Sequence, residues 1–463
     1  MRPRSPAASE SPRFHPSPLR DDAMGRSWLF AWGLAAVAFG GASLIVPLYV
    51  VELGGGAFVL GVLFATASFV GVPGALVFGN LADRTGKRRP FVLAALVVAT
   101  ATTLVIPTLE SVPLVIAANA ALWLGFAAAV PVLTLLAVSG EPEHRWTAVI
   151  ARLNEYQGIG WAAGLGLGFV VTAVVSLRYD PVTAQRAFLF VCAASAAAGL
   201  ALAARALPPD SGTVSEPSPT RLRRRVREAS RFNVRGAAFP FTPARFDPRG
   251  LRPRVLIDRF SPALATYFAA VLVVFTGFGV FFAPLPAYLA GVGFGSSETF
   301  ALYFALNAAA AAFYGRAGRL AEAYGVYEVH AGALLGRGVA LPTVAVVGVA
   351  GGSTLFALSA TGAAFVAIGV TWAAIAVTAA ALVTRLAPPA IRGEALGAYG
   401  ALVAVGGGFG GIVGGWLASS GYPIAFVAAG GTVVVGTGIV VALARRPGQR
   451  SERRHGTGEE TGQ

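Results

Sequence analysis

Gly79-Asn80-Leu81-Ala82-Asp83-Arg84-Thr85-Gly86-Lys87-Arg88-Arg89 is a short basic stretch between two long apolar runs, and a weaker copy stands at Gly318-Arg319-Leu320-Ala321-Glu322-Ala323-Tyr324-Gly325. The glycines of the two copies share one offset, 318 − 79 = 239 and 325 − 86 = 239, and the same 239 joins Pro47 and Tyr49 to Pro286 and Tyr288. Further on, Arg145, Gly160, Gly164 and Gly168 are matched by Arg392, Gly407, Gly411 and Gly415, each 247 later. Glycine alone is too common here to argue from. A shared order of proline, tyrosine, acidic residue, arginine and glycine ladder is far harder to reach by accident, so the chain reads as a duplicated half.

The residues are 55% hydrophobic and 13% charged with a mean hydropathy of +0.67, whereas soluble domains carry about 25% charged residues. This composition describes a polytopic membrane protein. The net charge of +14 is expected to face anionic lipid headgroups rather than nucleic acid. A lone cysteine, Cys192, excludes an intrachain disulfide. No metal-ligand spacing, nucleophile motif or phosphate loop is present, so no enzyme chemistry, metal or cofactor is expected; Gly406-Gly407-Gly408 lies inside an apolar run and reads as a packing surface.

Counting apolar runs of about 20 residues predicts an all-α protein of twelve transmembrane helices, roughly 28–51, 57–80, 90–109, 112–138, 146–174, 185–205, 262–289, 297–318, 328–350, 353–384, 394–418 and 423–444. Residues 1–26 form a disordered basic tail, 27–205 a first six-helix unit, 206–261 a basic linker carrying Arg221-Leu222-Arg223-Arg224-Arg225, 262–445 a second six-helix unit and 446–463 a disordered tail. Arginines concentrate on one side, in the tails, the linker and the loops holding Arg84, Arg145 and Arg392. Both termini are therefore expected in the cytoplasm, with the protein in the cytoplasmic membrane.

Gly79 and Gly86 permit the close approach and positive φ of a tight turn. Asp83 can accept from a helix N-terminus or pair with a nearby arginine, while Arg84, Lys87 and Arg88 hold the loop at the cytoplasmic face. Such contacts can form in one conformation and break in another, which suits a conformational latch with Gly318, Glu322 and Gly325 as its second-half copy. This string after the second span, its degenerate copy after the eighth and twelve spans with cytoplasmic termini resemble the major facilitator superfamily. The resemblance covers nearly the whole chain outside the tails and linker. It implies two pseudo-symmetric six-helix bundles with a substrate cavity between them near the midplane. Proton-driven drug exporters of that superfamily often carry an arginine in span 4 and a Gly-Pro pair in span 5; here Ala121 stands at the first place and Gly160 to Gly168 contains no proline, so that likeness is partial. The glycine ladder has a plain use in close helix packing.

An ionisable side chain deep in a membrane helix is a functional candidate, because exposing it to lipid costs on the order of 3 kcal/mol by insertion scales. Glu155, nine residues beyond Trp146, would lie about 14 Å deep; Arg152 is one turn earlier on the same face, and Asn154, Tyr156 and Gln157 widen the polar zone. Two readings stay open. Glu155 binds a proton or a cationic group with Arg152 as its tuner, or the two form an internal pair that never meets substrate. Asn119 and Asn307 are expected near mid-depth, as substrate contacts or as helix-to-helix hydrogen bonds. Tyr49 and Tyr288 are expected as interfacial anchors, Arg337 as a snorkelling cation, and His144 and His330 at loop edges. The function expected is secondary transport of a small molecule by alternating access, with proton-coupled export suited to a single buried carboxylate and metabolite uptake or uniport as the alternative. The rival is a transporter-fold sensor or scaffold acting through the basic linker.

Overall fold

The structure, a computed structural model, describes the backbone of residues 21–85, 87–138, 146–209, 260–349, 354–388 and 391–445. The first six helices are α1 (Asp21–Glu52), α2 (Ala57–Thr85), α3 (Arg89–Val105), α4 (Val112–Val138), α5 (Trp146–Val175) and α6 (Pro181–Ala206). The second set is α7 (Pro262–Phe282) with a short continuation α8 (Leu285–Gly291), α9 (Ser296–Tyr324), α10 (Val326–Val349), α11 (Thr354–Leu386), α12 (Arg392–Ser420) and α13 (Tyr422–Ala444). Pro284, which has no N–H to give the carbonyl four residues back, separates α7 from α8.

Among the described residues, ten segments are long and apolar enough to cross a membrane. The two others in the twelve-span count, α2 and α9, fall short for different reasons. Among the described residues the apolar stretch of α2 is the shorter Ala57–Gly71, and α9 carries Glu298, Arg316, Arg319 and Glu322 within one helix. Helix ends follow local chemistry. Asp180 caps α6, accepting from the Thr183 N–H at 3.0 Å and its hydroxyl at 2.6 Å; Ser261 caps α7 through the Leu264 N–H; Gly325 and Gly421, at φ +96° and +142°, end α9 and α12 where a side chain would be strained.

Buried side chains form two clusters. One gathers around Trp32, Phe39, Phe126 and Phe188 of α1–α6, the other around Tyr267, Phe278, Phe281, Phe365 and Phe426 of α7–α13. The duplication shows in matching hydrogen bonds. Tyr49, fully buried, donates to the Leu109 carbonyl at 2.8 Å, beyond the end of α3. Tyr288, its partner 239 residues later, donates to the Val344 carbonyl at 2.9 Å near the end of α10. These tyrosines are not interfacial anchors as the sequence suggested: each ties the end of the first helix of its half to the third. Removing the hydroxyl leaves a buried carbonyl less well satisfied, so Tyr49→Phe and Tyr288→Phe should each cost about 1 kcal/mol. The two costs should add in the double variant, because the sites lie in separate cores; thermal unfolding in detergent checks both.

Candidate functional site: a central cavity between the halves

Glycine sets how closely the helices approach. A Cβ placed on Gly164 of α5 would collide with the Val37 carbonyl and lie 2.8 Å from the Gly41 nitrogen of α1. In the second half, a Cβ on Gly279 of α7 would collide with the Gly407 carbonyl of α12 and lie 2.8 Å from the Gly411 nitrogen. The same ladder then reaches across the halves. A Cβ on Gly415 of α12 would stand 2.6 Å from the Ala57 carbonyl of α2 and 3.2 Å from Gly61 Cα. The second seam brings α5 to α9, where Gly168 receives the Phe300 ring and Phe300 meets Phe188 edge-on at 5.2 Å.

Both seams lie toward the end of the molecule that carries Glu52 and Ser296. There Gln185 of α6, buried, donates to Ser296 of α9 at 3.0 Å and to Glu52 of α1 at 3.4 Å, so one amide bridges the halves. Beside it Arg186 pairs with Glu110 at 3.6 Å and donates to the Tyr49 hydroxyl at 3.2 Å.

Between the seams the halves enclose a cavity of about 950 Å³, its open mouth included. Ser43 and Pro47 of α1, Phe64 and Ser68 of α2, Asn119 and Trp123 of α4 and Trp161 of α5 face Phe282, Pro286, Tyr303 and Asn307 from the other half. None of the lining residues is Asp, Glu, Lys, Arg or His. The two serines on the wall are turned back on their own helices: Ser43 donates to Gly40 O at 2.7 Å and Ser68 to Phe64 O at 2.9 Å. The two amides differ. Asn307 spends its NH₂ on Tyr303 O at 2.7 Å and leaves Oδ1 without a partner, and the buried Asn119 side chain makes no hydrogen bond to a described residue. Trp123 and Trp161, ring centroids 6.1 Å apart, supply a flat apolar wall between them.

Of the sequence candidates, Asn119 and Asn307 meet in this cavity. Glu155 and Arg152 do not. Both are exposed on α5, with no ion pair to each other or to any described residue, and Glu155 lies six residues, about 9 Å, along the helix from Trp161. Counting depth from Trp146 placed Glu155 centrally, but the cavity sits one and a half turns further on. Asn154 bonds its own helix at Ile150 O, 2.7 Å. Tyr156 packs edge-on against Phe30 at 4.9 Å, and Gln157 accepts from the Trp32 indole at 3.2 Å, which ties α5 to α1.

The latch region is only partly visible. α2 stays helical through Thr85, so Asp83 and Arg84 belong to its last turn and not to a loop, and only residues 86–88 separate α2 from α3. The side chains of Gly79 to Thr85, and Gly86 itself, lie outside the described residues, as do His144 and residues 210–259 of the linker. Lys87 and Arg88 precede α3, and the neighbouring Arg89 donates to Ala204 O at 2.6 Å at the end of α6. In the copy, Gly325 is the positive-φ turn residue, while Gly318 and Glu322 are helical.

Two further expectations are corrected. Arg337 does not snorkel: it is fully buried in α10. His330 is no loop-edge residue, since it is buried one turn into α10 between the Thr378 hydroxyl at 2.7 Å and the Tyr267 hydroxyl at 3.3 Å. Thr378 gives its proton to Ala374 O at 2.6 Å; it therefore accepts from Nδ1–H, and Nε2 accepts from Tyr267, a neutral imidazole satisfied on both sides. The sequence reading also missed Trp123 and Trp161 as wall residues. The visible signal was Trp123 one turn beyond Asn119, on the same face.

Two symmetric helical halves around a cleft, in a chain this apolar, make a secondary transporter. Residues 28–375 match the family model of the Major Facilitator Superfamily, and the chain belongs to that family. No curated protein matches the sequence. Among solved structures, the chain is similar to the nucleoside transporter NupG (D323A mutant), with 13% identity, TM-score 0.68 and coverage of 91% of this chain and 99% of that one. It is also similar to the xylose transporter XylE from E. coli in a partially occluded inward open conformation, with 13% identity, TM-score 0.61 and coverage of 91% and 98%. A third likeness is to a bacterial homolog of the human lysosomal transporter Spinster, inward-facing and unoccupied, with 14% identity, TM-score 0.63 and coverage of 92% and 97%.

The seams make a two-sided prediction. At Gly415 a methyl would press on backbone that cannot yield, so Gly415→Ala should lower the melting temperature. Gly158 has nothing within 4 Å of its virtual Cβ, so Gly158→Ala should raise it, by up to about 1 kcal/mol of helix propensity. Shifts of the same sign in both variants would contradict the seam geometry.

Proposed function

We propose that this transporter carries a small organic solute with an apolar body and hydrogen-bonding groups, bound between Asn119 and Asn307 while the two halves rock about the α2–α12 and α5–α9 seams. The observation that carries this reading is the meeting, in one cavity, of two amides from opposite halves with hydrogen-bonding capacity left over. A solute touching both senses the relative position of the halves, and only a ligand with different affinity for the two states can shift their balance. We read the Glu52/Ser296 end as outward and closed, in keeping with the arginine distribution, and the Lys87/Tyr324 end as cytoplasmic and open.

Closure of the open end has a natural pair of faces. α5 and α9 run antiparallel, with Gly166 near Phe304 and Gly168 against Phe300. Glu155 is eleven residues, about three turns, from Gly166 and shares its face; Glu322 is eighteen residues, five turns, from Phe304 and shares its face. From that contact Glu155 and Arg152 lie about 17 and 21 Å along α5, and Arg319 and Glu322 about 23 and 27 Å along α9. The charges therefore follow in complementary order with a stagger of about 6 Å that their long side chains would span, and Gly158 and Gly318 leave room for approach. We assign Glu155 to this gate, as the partner of Arg319 when the halves close there. The cavity wall offers no carboxylate for a proton, so export driven by protons is not part of this reading.

Two experiments test it. Asn119→Leu and Asn307→Leu should each weaken solute binding about tenfold or more, the scale of one lost hydrogen bond in a dry site, with little loss of fold stability; binding unchanged in both would remove the cavity from transport. Glu155→Arg alone should slow transport with cavity binding retained, and Glu155→Arg combined with Arg319→Glu should restore it. Failure of the swap to restore would end the gate assignment.

A further inference from the structure

Arg337 is the only Lys, Arg, Asp or Glu among the described residues that is buried. Its guanidinium carbon stands 4.5 Å from the Phe278 ring centre, 5.5 Å from Trp372 and 5.7 Å from Phe282. A guanidinium has five N–H donors. Here one hydrogen bond is made, from Nη1 to Ile368 O at 2.9 Å, and the Nε–H has no partner. Aromatic faces soften the burial of a cation but do not accept ordinary hydrogen bonds, and no described carboxylate pairs with it. A methionine or leucine in that space would ordinarily be as stable or more so. The position keeps a charge that the resting protein leaves unanswered.

Phe282 belongs both to this aromatic cage and to the wall of the central cavity. Tyr314, seven residues beyond Asn307 and so on the same face of α9, lies within electrostatic reach of the guanidinium. We propose that Arg337 is an anion-binding subsite of the central cavity: the solute carries one carboxylate or a comparable monoanionic group, which reaches the guanidinium when the Phe282 ring turns aside. The apolar body rests on Trp123 and Trp161, and its polar groups meet Asn119 and Asn307. One negative group against one guanidinium leaves no net charge in the occupied site. An anion can therefore cross through a cavity whose wall carries no charge of its own. The inference rests on the reading of the cavity as the transport site and names its substrate class.

The test uses the detergent-purified full chain and a series of aryl carboxylates from benzoate to 2-naphthoate, each beside its carboxamide, followed by thermal shift and intrinsic tryptophan fluorescence. The acids should bind at least about tenfold tighter than the matching amides, since a charge-assisted bond replaces a neutral one. Arg337→Met should abolish that preference without lowering the ligand-free melting temperature, Arg337→Lys should keep part of it, and Phe282→Ala should keep or strengthen it. Equal binding of acid and amide, no binding of any acid, or an acid preference that survives in Arg337→Met would overturn the subsite. A lower ligand-free melting temperature in Arg337→Met with the preference intact would assign the guanidinium to packing alone. If acid and amide bind alike and both are weakened in Asn119→Leu, the anion subsite falls while the cavity stands as the binding site.

Discussion

Backbone-to-backbone contact at glycine is the constraint on which the rest of the structure depends. Lipid gives helices no hydrophobic reason to associate, so they are held by close packing and by hydrogen bonds across short gaps. Gly160 and Gly164 let α5 lie on α1, and Gly406, Gly410 and Gly414, facing Gly279 and its neighbours, let α12 lie on α7 in the same manner. Gly411 and Gly415 also present backbone to α2 of the other half. Two glycine faces of α12 therefore serve two contacts, one within its half and one between halves. Packing without interlocked side chains can slide or tilt, which is what a seam between rocking bodies requires.

The treatment of polar groups follows from the same setting. With no water inside the bilayer, a buried donor or acceptor must find a partner in the protein. Buried threonines donate to the carbonyl four residues back, as Thr103, Thr172 and Thr437 do, and His330 is satisfied at both nitrogens. Against that background Asn307 Oδ1 on the cavity wall and Arg337 Nε–H behind the Phe282 ring stand out, among the described residues, as unpartnered groups. Gln185 Oε1 is a third, at the inter-half bridge near Glu52. At Asn307 and Gln185 that unmet capacity lies where the two halves face each other.

The fold was legible because duplication leaves offsets: 239 and 247 place the halves, and the Tyr49–Tyr288 pair keeps its role in both. The role itself was not legible, since a tyrosine at the end of an apolar run looks the same whether it faces lipid or a neighbouring helix end. Asn119 and Asn307 could be picked out as polar residues in apolar helices. Glu155 was not legible in the same way, because depth counted from a helix end says nothing about which way a face points; its exposed side chain is not part of the cavity wall. Arg337 and His330 were misjudged for a related reason. His330 stands near a helix start and Arg337 has a long stem, both of which suggest access to the surface, but α7 and α11 cover them with aromatic rings and hydroxyls.

Double electron–electron resonance on the chain in nanodiscs, in a Cys192→Ser background, measures the rocking of the halves most directly. One spin-label pair at positions 87 and 324 reports one end, and a second at positions 178 and 420 reports the other. With Gln185→Leu introduced to remove the bridge between Glu52 and Ser296, rocking about the glycine seams predicts that the 178–420 distance lengthens while the 87–324 distance shortens. Distances that stay fixed at both ends, or that lengthen together, would contradict it.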